Sequence, residues 1–169
     1  IKEIYKVNNQ KLNITSKLWK IPVCYEDEFG IDLDEIAKVK KIVKQKIIQI
    51  HSDTIYDVYF IGFLPGFLYL GGLSEKIHFK RKSEPRNKII KGSVGIAGNQ
   101  TGIYPRDSPG GWNIIGNSPI NFFDINLEVP CFANSGDKIQ FISINKKKYD
   151  EIKKQVNEGV YLIKSETYG

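Results

Sequence analysis

The chain has 169 residues, 41% of them hydrophobic and 26% charged, which is the size and balance of one globular domain able to bury a core without staples. Its formal charge of +6 comes mainly from lysines spread over two helical segments, with only three arginines and no zinc-finger, RRM or KH signature, so no nucleic-acid partner is expected. No apolar run approaches the roughly 18 residues that cross a bilayer, and no leader pattern is visible, so no membrane span is expected.

Residues 1–17 are weakly patterned and read as a connector, or as the tail of a missing domain; the chain begins at Ile and contains no Met, as a piece of a longer polypeptide would. The main domain is expected to run from 18 to 169. "LWKIPVCY" (18–25) is strand-like and is closed by the acidic turn "EDEFG". Across 32–50, Ile36, Val39, Val43, Ile47 and Ile50 recur at steps of three and four, which predicts one amphipathic helix with Asp32 as N-cap and Glu35 three residues on. "TIYDVYFIGF" (54–63) changes period and reads as a buried strand. Short strand-like runs follow, divided by Gly and Pro: "SVGIAG", "TGIYP", "WNIIG", "PINFFD" and "KIQFISI". Such spacing argues for a barrel or sandwich and against a βαβ layout. Near the end, Tyr149, Ile152 and Val156 share a helical face that stops at Gly159, and "VYLIK" (160–164) is expected as a last strand. The class is mainly β with peripheral helices.

Much standard chemistry is missing. Gly111 and Gly116 have phosphate-loop spacing, but Asn117 stands where the phosphate-holding lysine would be. There is no G-x-S-x-G elbow, and two histidines with two distant cysteines are too few for a zinc site. No metal is expected. The lone Cys24 and Cys131 suit a reducing compartment, so a cytoplasmic location is expected. What stands out is "GFLPGFLYLGG" (62–72) and residues 98–119, the latter holding five of the fifteen glycines and three of the seven prolines. Both mix Gly and Pro with large rings, which flexible linkers avoid. Two readings stay open: tight barrel turns over core aromatics, or the wall of a ligand cleft.

"FIGFLPGFLYLGGL", "GSVGIAGNQTGIYPRDSPGGWNIIGNSP" and "SGDKIQF" together resemble the family of bacterial 5-oxoprolinase B-type subunits, long labelled allophanate hydrolase subunit 1. "IPVCY" and "IHSDTIYDVYFIGF" fit the same resemblance, which spans 18 to about 163. The sequence departs from the family pattern at Leu68, Lys80, Ile90 and Asn99, all in or beside turns. The resemblance implies a cyclophilin-like β-barrel similar to one half of a carboxyltransferase domain (subdomains C and D), with a small α+β domain ahead of it. It also implies a non-autonomous subunit of an ATP-dependent amidohydrolase that opens 5-oxo-L-proline to L-glutamate with C-type and A-type subunits. ATP would be used by the assembly, with no cofactor bound by this chain. Alternatives carried by the same resemblance are inhibition of a sporulation-type histidine kinase, or a subunit related to allophanate hydrolase and urea carboxylase.

Candidate catalytic residues are His51, Gln100, Tyr104 and Ser108. His51 is the one histidine within the family motifs; it could serve as a general base or make a structural hydrogen bond at a helix end. Ser108 could donate a hydrogen bond but has no adjacent base. Candidate substrate-binding residues are Phe63, Pro65, Tyr69, Thr101, Gly110, Gly111 and Trp112, with the Gly110–Gly111 amides as oxyanion donors. Tyr69 and Trp112 read equally as core or interface. Arg86 and Arg106 could hold a carboxylate or be surface charge. Both glycine-rich motifs are expected to line one cleft.

Overall fold

In chain order, the computed structural model, which describes residues 15–169, places strands β1 (Ser16–Cys24), β2 (Ile55–Ile61), β3 (Leu68–Gly71), β4 (Arg86–Ile89) and β5 (Ser93–Ala97). They are followed by β6 (Gln100–Ile103), β7 (Ser108–Gly110), β8 (Asn113–Asn117), β9 (Lys138–Ile144) and β10 (Lys164–Tyr168). Helices α1 (Leu33–Lys40), α2 (Lys44–Asp53) and α3 (Lys146–Asn157) lie outside the sheet. Seven strands form a closed barrel in the order β1-β8-β5-β6-β3-β2-β9, because β9 returns to pair with β1. That closing pair is parallel, from Leu18↔Lys138 to Cys24↔Ile144; the other barrel pairings are antiparallel. β10 adds to the outer half of β1, and β4 with β7 forms a separate two-stranded ribbon.

The period-2 alternation of the strands decides what fills the barrel. Ile21, Val23, Tyr56, Leu68, Leu70, Val94, Ile96, Ile103, Ile139 and Phe141 point inward and are buried. Each such aliphatic side chain contributes about 1.5–3 kcal/mol over an exposed one, so the interior is the main source of stability. The mainly β barrel with peripheral helices is therefore the architecture that the short strands predict.

Three local expectations are corrected. The single helix over 32–50 is two helices. Lys41 adopts a left-handed conformation (φ 56), and the N–H groups of Lys41 and Ile42 both donate to the Ala37 carbonyl, closing α1; extended Val43 then opens α2. The break lets α1 lie against β8 and α2 against β9. Ile36 and Ile47 are buried, whereas Val39 and Val43, beside the break, are 61% and 72% exposed. "PINFFD" is not a strand. Asp124 turns the chain there by accepting from the Asn126 N–H, while Phe122 drops into the core. "VYLIK" is also not a strand: Val160 and Leu162 are exposed, and pairing to β1 starts at Lys164.

The C-terminal helix forms as its pattern predicts. Asn145 caps it by accepting from the Lys148 N–H at 2.9 Å, Tyr149 and Ile152 are buried, and Gly159 (φ 73) follows its end. Of the expected connector, residues 1–14 lie outside the described residues, while Ser16 and Lys17 already belong to β1.

Candidate functional site

Where β5 and β6 pair, Gly95 faces Gly102 on the outer side of the barrel and leaves bare backbone. Rings cover it. A methyl group at Gly102 would come within 2.8 Å of the Leu68 carbonyl oxygen and 2.9 Å of the Trp112 ring; one at Gly95 would lie 3.1 Å from Trp112 Cβ. The missing side chains are thus what allows Trp112 and Phe67 to pack directly against the wall. They form a second apolar cluster outside the barrel with Ile89, Ala97, Tyr104 and Ile114. Phe67 meets Trp112 edge to face at 5.5 Å between centroids and Tyr104 at 5.1 Å, and Phe60 stacks on Tyr69 at 4.2 Å.

The β4–β7 ribbon stands opposite this wall, and between them opens a cleft of about 530 Å³. Both glycine-rich motifs reach it: Phe63 and Tyr69 from the first, Tyr104, Ser108, Gly110 and Trp112 from the second. Gly110 is required by packing, since a Cβ there would fall 2.3 Å from the Tyr104 hydroxyl. Its neighbour Gly111 also lines the cleft, and its carbonyl accepts from the Lys82 N–H at 2.8 Å. Gly110 is the ladder partner of Arg86.

The polar groups of the cleft are few. Burial pushes the Tyr104 hydroxyl up to about 12, against the opposing effects of the Trp112 N–H and the nearby Arg81, so it is a proton donor at neutral pH. The Ser108 hydroxyl oxygen is buried at the cleft with no hydrogen-bond partner among the described residues. Arg81 and Arg106 are exposed at its edge, with Arg81 5.6 Å from the Trp112 ring centroid. The one carboxylate lining it among the described residues, Asp107, is engaged by Lys88 at 2.9 Å and by the Lys91 N–H at 2.8 Å, which hold it below the usual range.

Other candidates stand elsewhere. His51 is fully buried in α2, not at the cleft. Thr101 spends its proton on the Gly95 carbonyl (2.9 Å), so His51 Nε2–H donates to Thr101 Oγ1 (2.9 Å) and Nδ1 accepts from the Tyr25 hydroxyl (2.8 Å). Burial lowers the His51 pKa to about 3, leaving a neutral ring stacked on Phe141 at 4.6 Å. His51 and Thr101 therefore sit inside the barrel and cannot reach a ligand in the cleft. Gln100 pairs with Ala97 at the start of β6 and does not line the cleft; nor does Pro65, which is exposed on the turn before β3.

Sequence alone gives Asp32 no role beyond a helix cap, and the structure corrects this. It makes no side-chain cap: its carboxylate is 3% exposed and accepts from both guanidinium nitrogens of Arg86 (2.7 and 2.9 Å), from the Ile114 N–H (2.6 Å) and from Lys82 (3.0 Å). Burial would raise its pKa, but Arg86, the Ile114 N–H and Lys82 together hold it below the ordinary value. This cluster locks α1, β8 and β4 together and so fixes the ribbon wall. An acidic residue ahead of a helix and an arginine 54 positions later give no local sign of the pairing.

Among the described residues no group of three or more His, Cys, Asp or Glu is placed to hold a metal ion, and no helix is long and apolar enough to cross a membrane. The B-type subunit of the Bacillus subtilis 5-oxoprolinase is 44% identical over 93% of this chain, and that of Haemophilus influenzae 50% identical over 73%. The chain spans only 62% and 58% of the lengths of these two proteins. The crystal structure of the Kluyveromyces lactis urea amidolyase superposes over 92% of this chain and 11% of its own, with a TM-score of 0.80 at 21% identity, a likeness of fold alone. A family model for the carboxyltransferase domain, subdomain C and D, matches residues 1–133, and the chain belongs to that family.

Proposed function

We propose that this chain is the barrel part of a B-type subunit of an ATP-dependent 5-oxoprolinase, which opens 5-oxo-L-proline to L-glutamate together with C-type and A-type subunits. The observation that carries the reading is a cleft equipped to orient a small ligand but, among the described residues, lacking an acid–base pair. Aromatic rings offer flat surfaces to a five-membered lactam, and the Tyr104 and Ser108 hydroxyls can donate to its carbonyl. Among the described residues no free base stands beside Ser108 to take its proton, since Asp107 is already held by Lys88 and the Lys91 N–H. Binding and orientation are thus the work of this chain, while ATP-dependent activation of the amide falls to the rest of the assembly. The names of the relatives, which call them subunits, support the same division. Within this reading the ligand-facing set is Phe63, Tyr69, Tyr104, Ser108, Gly110, Gly111 and Trp112.

Reconstitution tests it. The chain purified with C-type and A-type subunits is expected to release glutamate from 5-oxoproline and ATP, and the chain alone to release none. Turnover by the isolated chain, or an inactive complete assembly, overturns the proposal.

A further inference from the structure

We propose that Arg81 is the residue that recognises the ligand's carboxylate, so that the cleft selects small cyclic acids over neutral rings of the same shape. The assignment rests on the cleft being the substrate site of the reading above. All three arginines of the chain stand near the cleft, and the structure gives them different tasks. Arg86 is spent on buried Asp32 through two N–H donors. Arg81 and Arg106 reach the cleft and pair with no carboxylate among the described residues. Asp107 does not neutralise them, because Lys88 and the Lys91 N–H already hold it. The cleft is therefore positive where it meets solvent, and an anionic group entering it finds a guanidinium whose two parallel donors match a carboxylate.

Arg81 is preferred to Arg106 on position. Its guanidinium lies 5.6 Å from the centroid of Trp112, the ring that covers the Gly95–Gly102 wall, and it is near enough to Tyr104 to draw that hydroxyl's pKa downward. Stacking on Trp112 limits its rotamers before a ligand arrives, which reduces the entropy lost on binding. A ring acid with its carboxylate on Arg81 can lay its flat face along the aromatic wall and direct its other polar group toward Ser108, whose buried oxygen is unpartnered. Arg81 lies outside both glycine-rich motifs and arrives from the segment that leads into β4.

The test uses two probes that differ in the carboxylate alone: 5-oxo-L-proline and 2-pyrrolidinone, the same lactam ring without the acid. Calorimetric titration of the full chain, alone and with its C-type subunit, is expected to show 5-oxoproline binding at least about tenfold more tightly than 2-pyrrolidinone. Arg81→Gln should erase that preference, and Arg81→Lys should restore part of it, keeping charge but not the fork. Arg81 is exposed, so an unchanged urea midpoint in both variants will show the fold intact. In the complete assembly Arg81→Gln should raise KM for 5-oxoproline about tenfold or more and leave kcat nearly unchanged, as loss of uniform binding does. Equal affinity of the wild type for the two probes, binding of neither, or wild-type behaviour of Arg81→Gln overturns the assignment. An inactive wild-type assembly whose chain still binds acids through Arg81 would sink the oxoprolinase reading and leave the carboxylate site standing.

Discussion

His51 is neutral because it is sealed between Phe141, Tyr25 and Thr101, and that neutrality has a pH signature. Its pKa is about 3 folded against 6.5 for an accessible imidazole, so the unfolded chain takes up a proton that the native chain refuses. Stability is complete above pH 6.5 and is lost as the pH falls from there toward 3, by about 1.4 kcal/mol per unit. Urea titrations at pH 7.5, 6 and 5 are expected to show this slope in the wild type and not in His51→Gln, which cannot protonate. Equal slopes would mean that the imidazole is accessible after all. Asp32 loses its contribution in the same direction but at lower pH. Its folded pKa is depressed, so its ion pairs stabilise above the ordinary value of 3.8 and fade as the pH falls through the lower folded value. Asp32→Asn leaves Arg86 without its partner and is expected to cost about 2–3 kcal/mol at pH 7. The gap to wild type should narrow in acid, where the wild-type carboxylate also loses its charge; a gap that stays constant down to acid unfolding would deny the pairing its role.

At the scale of elements, the cleft wall depends on one glycine pair. Gly102→Ala inserts a methyl group that meets the Leu68 carbonyl at 2.8 Å and the Trp112 ring at 2.9 Å, and fixed backbone cannot yield there. We expect a loss of about 1–3 kcal/mol, together with a shifted Trp112 emission as the ring is lifted off the wall. Unchanged stability and emission would show the wall to be looser than it is drawn. How far such elements can be read from sequence follows from where their causes lie. β2, β5, β6, β8 and β9 are visible because apolar alternation and barrel burial are the same fact seen twice, as in Val94, Ile96 and Ile103. The meeting of the two glycine-rich motifs at one cleft is also legible, from rings placed beside glycines. The stop at Lys41 is not, since a left-handed position held by lysine lacks the glycine that usually announces it. β10 escapes because "KSETY" is wholly exposed and is held by backbone pairing, by Ser16 donating to the Tyr168 carbonyl and by Lys20 with Glu166. The roles of His51 and Asp32 are hidden for a common reason: their partners Thr101 and Arg86 lie 50 and 54 residues away, and only the closed barrel brings them together.

For the whole molecule, the exposed rings around the cleft bear on assembly. Phe60 and Phe63 are 48% and 65% exposed, and they continue the buried aromatic wall outward: Phe60 stacks on Tyr69, and Phe63 meets Phe67 edge to face at 5.7 Å. Contiguous exposed rings beside a cleft mark a surface that another chain covers. In the proposed enzyme that chain is the C-type subunit, which would also bring the acid–base groups that the cleft lacks. Trp112 is not the anchor, for it is only 4% exposed and serves the wall; Trp112→Ala is expected to lower stability by about 3–5 kcal/mol through the cavity it leaves. Phe63 is the better anchor. Phe63→Ser should change stability by no more than about 0.5 kcal/mol, because the ring is mostly in water already. It should nevertheless weaken association with the C-type subunit about tenfold or more, as loss of an interface aromatic does. Sedimentation of the wild type and Phe63→Ser, each with and without the C-type subunit, separates the outcomes. Weakened hetero-association with an unchanged monomer supports the half-site. Undiminished association of Phe63→Ser would move the interface elsewhere, and a wild-type homodimer that Phe63→Ser dissolves would assign these rings to a second copy of the chain.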